Sequence, residues 1–80
     1  MNSGNGDEER IVARGLKSPG PLLIVKKRLK TLDARRIRVI VSSRDAAEDI
    51  INYFETRGAA IELDRAGEIS FMIVIDIRPV

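Results

Sequence analysis

The chain contains no cysteine, no histidine and no tryptophan. Without His or Cys, no ordinary zinc or iron–sulfur site can be assembled. Nor can a Ser-His or Cys-His nucleophile pair. No glycine loop has Walker or dinucleotide-binding spacing, and no acidic loop has a cation-coordinating pattern, so no cofactor is expected. The aromatic residues are Tyr53, Phe54 and Phe71, too few for a base-stacking platform. No apolar run approaches the roughly 20 residues that span a bilayer, so no membrane association is expected. Residues 1–9 are polar and acidic, unlike a signal peptide, which leads to the expectation of a cytoplasmic protein. Zero cysteine agrees with a reducing compartment.

What is present is enough for one small domain. The chain has 80 residues, which allows a single compact core. The Gly/Asn-rich residues 1–9 read as a disordered polar tail and residues 10–80 as the domain. The net charge of +2 conceals a split. Residues 10–44 hold eleven basic residues and one acidic one, Asp33, whereas residues 45–80 hold three basic and eight acidic. A basic segment of this kind points to an acidic partner or to nucleic acid; its bland counterpart is a solvated surface.

Hydrophobic patterning yields six elements. Residues 10–13 (Arg-Ile-Val-Ala) form a short strand ended by Gly15. Ser18 is placed to cap a helix whose first position is Pro19, with Pro21 still in the first turn, where N–H groups need no partner. Leu22, Val25, Leu29 and Leu32 make one buried stripe of that helix, with Lys26 flanking it and Lys27, Lys30 and Leu23 off it. Residues 37–42 are β-branched and read as a central strand. Ser42 or Ser43 caps a second helix, which buries Ala47, Ile50, Ile51 and Phe54 and ends at Gly58. Residues 59–64 and 69–77 alternate as strands. Ile61 and Leu63 face the core from the first; Ile69, Phe71, Ile73, Ile75 and Ile77 face it from the second. The order βαβαββ implies an α+β, two-layer α/β sandwich with two helices on one face of a four-stranded mixed sheet.

Gly15 and Ser18-Pro19-Gly20-Pro21 sit between the first strand and the first helix, and the Lys26-Lys27 pair sits on that helix. There they resemble the Gly-x-x-Cys-Pro-x-Pro signature of the TusA/SirA family of small sulfur-carrier proteins. Asp49-Ile50 matches a family pair in the second helix. The resemblance spans residues 10–80 and implies the same order of elements. It also implies a persulfide-carrying cysteine at position 18, sulfur relay toward tRNA thiolation or cofactor sulfur, and docking to an acidic surface. That surface would belong to a sulfurtransferase or sulfur acceptor, with tRNA nearby. Lys17, Leu23, Lys26, Lys27 and Lys30 are the expected docking residues, and Gly15, Pro19 and Pro21 shape the turn. Val12 stands where the family usually has Asp, and Ser43-Arg44 stands where it has Asp-Pro.

Ser18 occupies the sulfur position with an oxygen. A hydroxyl forms no persulfide and enters no thiol–disulfide exchange. A thiolate there would be favoured by the helix N-terminus. Three readings of the serine stand open: a replacement of a native Cys, a non-catalytic relative that keeps the docking surface, or a shared fold in which Ser-Pro merely starts a helix. The protein is therefore a persulfide carrier if residue 18 is natively Cys, and otherwise a docking or regulatory module. As written it is inactive in sulfur transfer. The alternative from another class is a small basic nucleic-acid-binding domain.

Overall fold

The computed structural model describes residues 8–31 and 35–76. Its elements are β1 (Glu8–Val12), α1 (Gly20–Leu29), β2 (Arg36–Val41), α2 (Arg44–Glu55), β3 (Ala60–Arg65) and β4 (Phe71–Asp76). The sheet order is β1-β2-β4-β3, with β1 parallel to β2 and β4 antiparallel to both β2 and β3. This is the expected mixed four-stranded sheet under two helices. Each parallel relation is bridged by a helix, because a parallel return needs a long crossover. β3 and β4, joined by a short turn, form a hairpin.

One face of the sheet carries the core. Ile11, Ile37, Val39, Val41, Ile73 and Ile75 are buried there, since alternate residues of a strand share a face. Val25 and Pro21 of α1 and Ala46, Ala47, Ile50 and Phe54 of α2 close over them. Leu22, Leu29 and Ile51 are partly buried against the same cluster, so the stripes read on both helices hold. At the α2 N-terminus, Ser43 Oγ accepts from the Ala46 N–H at 3.0 Å. At its C-terminus, Ala59 N donates to Phe54 O and Gly58 N to Glu55 O, with Gly58 at φ +79°. This is the Schellman arrangement, which glycine adopts without the Cβ clash other residues meet.

The other face of the sheet is uncovered by helices. By register its four strands contribute Glu8, Arg10 and Val12; Arg36, Arg38 and Ile40; Asp76, Val74 and Met72; and Ala60, Glu62 and Asp64. Arg38 lies along this face: its Nε donates to the Glu8 carboxylate, and its Nη1 is 3.8 Å from the Met72 sulfur.

Several expectations are corrected. β1 begins at Glu8, inside the stretch read as tail. Glutamate is a poor strand former, but Glu9 pairs with Arg28 of α1 and Glu8 with Arg38 of β2, and these long-range ion pairs hold the strand ends in place. Residues 1–7 lie outside the described residues. α1 stops at Leu29, with Lys30 and Thr31 in a closing turn. Leu32, expected on its stripe, lies outside the described residues, as does Ile77. β4 starts at Phe71, and Ile69, expected on its core face, is 74% exposed in the hairpin turn. Leu63 is also exposed, although its partner Ile73 is buried. β3 is the sheet edge, and only Ile61 of its expected pair packs against the core.

Candidate functional site

The loop from β1 to α1 and the loop from β2 to α2 lie side by side at one end of the sandwich. Parallel strands deliver both loops to the same edge of the sheet. Between them is a depression of about 440 Å³, lined by Gly15, Leu16, Lys17, Ser18, Ser42, Ser43 and Asp45. Gly15, at φ +79°, turns the chain and donates its N–H to Ser42 Oγ at 2.8 Å, tying the loops together. The ladder bond from Ala13 N to Ile40 O, 2.8 Å, anchors the start of the first loop.

Ser18 is exposed at the rim, but it does not cap α1. The helix begins at Gly20, the N-cap position is Pro19, and no side chain bonds the first-turn N–H groups. The first turn is closed by backbone alone, Gly20 N to Lys17 O at 2.7 Å and Leu23 N to Pro19 O at 3.1 Å. The expectation of Pro19 at the first helical position is thus corrected by one residue. Pro21 is the helix's second residue and is buried. The Ser18 hydroxyl instead donates to a carboxylate oxygen of Asp49, on α2. The donated bond to a charged acceptor is a strong one, and it sets the Ser18 side chain toward α2. The signal for this was in the sequence, in the Asp49-Ile50 pair. Its link to Ser18, 31 residues away, was not.

The contact changes the chemistry expected at position 18. A helix N-terminus favours an anion with about half a charge. A full carboxylate charge at hydrogen-bond distance opposes that half charge and outweighs it. Position 18 therefore favours a group that donates a proton to Asp49 over one that carries negative charge.

The outer surface of α1 is the second part of the site. Lys17, Leu23, Lys26, Lys27 and Lys30 are all exposed, and Leu23 is 57% accessible. Helical spacing stacks Leu23, Lys27 and Lys30 on one outward ridge. Lys26 turns toward α2, its Nζ 5.1 Å from the centre of the Tyr53 ring, and Arg57 covers the same ring at 3.8 Å. Ile24 flanks the other side at 37% exposure. The basic segment read in the sequence is therefore not one surface. Arg28 is bound to Glu9, and Arg36 and Arg38 belong to the uncovered sheet face behind the helices.

No aromatic side chain offers a clear stacking surface. Phe54 is buried, Phe71 is half-buried, and Tyr53 carries two cations on its ring. Nothing here favours the nucleic-acid-binding alternative. No cluster of three or more acidic residues able to hold a metal ion occurs among the described residues. No described helix is long and apolar enough to cross a membrane.

Residues 9–75 match the family model of sulfurtransferase TusA. Among solved structures, the chain is similar to a SirA-like protein from Desulfitobacterium hafniense, with a TM-score of 0.76 at 20% identity. That likeness covers 89% of this chain and 99% of the other, and it extends to the fold. No curated protein matches the chain in sequence.

Proposed function

Because the chain belongs to the TusA sulfurtransferase family, whose members relay sulfur between proteins, we propose that it is a docking or regulatory member of such a relay, one that engages a sulfur-handling protein without carrying sulfur. The observation that supports this is the Ser18–Asp49 hydrogen bond: the sulfur position is occupied by a hydroxyl committed to a carboxylate. With no cysteine anywhere in the 80 residues, a persulfide has no atom to form on. The surface around that position keeps what a partner would grip. The ridge of Leu23, Lys27 and Lys30 sets an exposed apolar side chain among cations, beside a depression that can receive a partner's loop. The fitting partner presents an acidic patch around a persulfide-bearing cysteine, and thiolation of tRNA is one destination of such a relay. The cell interior is the matching compartment.

The test has two arms. After exposure to a persulfide donor, intact mass should show no sulfur added to the chain as written and one sulfur atom added to the Ser18→Cys variant. Kinetics with the sulfur-handling protein recovered from extract should then show slower association for Lys27→Glu/Lys30→Glu. Leu23→Ala should speed dissociation. Equal kinetics for all three proteins would show that α1 is only solvated surface. Recovery of RNA alone, lost steeply with salt, would overturn the protein-docking reading.

A further inference from the structure

The uncovered face of the sheet has a charge layout with its own symmetry. Three rows run across the four strands in the order β1, β2, β4, β3. They are Glu8, Arg36, Asp76, Ala60; Arg10, Arg38, Val74, Glu62; and Val12, Ile40, Met72, Asp64. The cations Arg10, Arg36 and Arg38 all lie on the β1–β2 half. The anions Glu62, Asp64 and Asp76 all lie on the β4–β3 half, and Glu8 on β1 is taken by Arg38.

We propose that this face is where two copies of the chain meet, in a two-fold dimer whose axis runs parallel to the strands, with Arg10 of each copy opposite Glu62 of the other. The symmetry selects the axis. A two-fold axis along the strands turns the β1–β2 half of one copy onto the β4–β3 half of the second. Arg10 of each copy then meets Glu62 of the other. An axis across the strands would stack Arg10 on Arg10, a like-charge contact that disfavours that arrangement. A two-fold contact requires a self-complementary patch, and this face supplies one. Two sheets packed face to face also keep their strands roughly aligned, as this axis requires.

A second copy fits better than an unrelated partner. Arg10 and Glu62 are both exposed and have no ion-pair partner among the described residues, and each is the other's complement across the axis. Between them lie the half-buried Met72 and Val74, while Ile40 is already buried within its own chain. The face offers twelve residues per copy, against the roughly 20–30 of a stable interface, so the association is weak and salt-sensitive. It leaves both α1 ridges pointing outward, since the helices occupy the opposite layer.

Sedimentation equilibrium of the intact chain over a concentration series at low salt reads this directly. The expected result is a monomer–dimer equilibrium that stops at dimer. Arg10→Glu alone and Glu62→Arg alone should each raise the dissociation constant by about tenfold or more. Mixed in equal amounts, the two variants should form a heterodimer, because each mispaired charge then finds its opposite. Restoration on mixing also shows that both variants are folded. A monomer at every concentration to about 1 mM would overturn the proposal. So would a dimer indifferent to both substitutions, or variants that stay monomeric when mixed. Assemblies that keep growing with concentration would point to head-to-tail pairing of the β1 and β3 edges, and would overturn it too.

Discussion

A serine precedes each helix, and the two are used differently. Ser43 caps α2, its hydroxyl oxygen accepting from the Ala46 N–H. Ser18 turns its hydroxyl away from α1 and gives it to α2 through Asp49. The rest of each helix follows suit. α2 has 12 residues, four of them buried, and a glycine-closed C-terminus. α1 has 10 residues, two of them buried, an uncapped start, and an outer ridge of Leu23, Lys27 and Lys30. α2 holds the sheet; α1 is held by its neighbours and presents a surface. A small domain has little core to spare, so stability and recognition fall on different elements.

The sharpest break of this contrast is a truncation in each helix. Ile50→Ala empties a site with no exposure and should cost about 2–5 kcal/mol in urea denaturation. Leu23→Ala should change stability by less than about 0.5 kcal/mol. Comparable losses would mean that α1 carries as much of the core as α2.

Next in size is the thiol of Ser18→Cys. With Asp49 beside it, its pKa, read from alkylation rate against pH, should lie above the free-cysteine value of about 8.5. Adding Asp49→Asn should bring it down by about one unit or more, because only the helix terminus and Lys17 then act on it. A depressed pKa in the single variant would show that the helix outweighs the carboxylate.

The two serines give a smaller difference. Ser43→Ala removes a cap and should cost about 1 kcal/mol. Ser18→Ala loses an exposed bond and should cost about half that or less. The smallest effect belongs to Lys27→Glu/Lys30→Glu, which should leave thermal stability within about 0.5 kcal/mol.

Most of the fold could be read from local pattern, because burial repeats with the period of each element. The α2 face, the β2 strand and the α1 stripe all follow from spacing. What local pattern missed depends on distant partners. Glu8 and Glu9 look like tail until Arg38 and Arg28 are brought beside them by the parallel crossover. Ser18 looks like a cap until α2 offers Asp49. Leu63 and Ile69 look like core because alternation does not tell where the helical cover ends. At the site, the turn residues Gly15, Pro19 and Pro21 were legible from the resemblance to the family signature, and the exposure of Lys26, Lys27 and Lys30 from their places beside or off the buried stripe of α1. The division of the basic segment between the helix ridge and the back of the sheet was not, since it follows from the register of β2.

The strand made last sits in the middle of the sheet. Among the described residues, β4 lies between β2 and β3 and is the strand that pairs with each of them on that side. While the chain is being synthesised, β1, α1, β2, α2 and β3 all precede it. Until β4 emerges, β2 has one unpaired edge, β3 has no neighbour, and the Ile50 and Phe54 side chains of α2 lack Ile73 and Ile75 beneath them. A chain in which β4 has not yet paired therefore exposes an apolar surface and an open strand edge. Pairing of residues 71–76 closes both, and any delay in it prolongs the interval in which a chaperone, or another nascent chain, can take the place of β4.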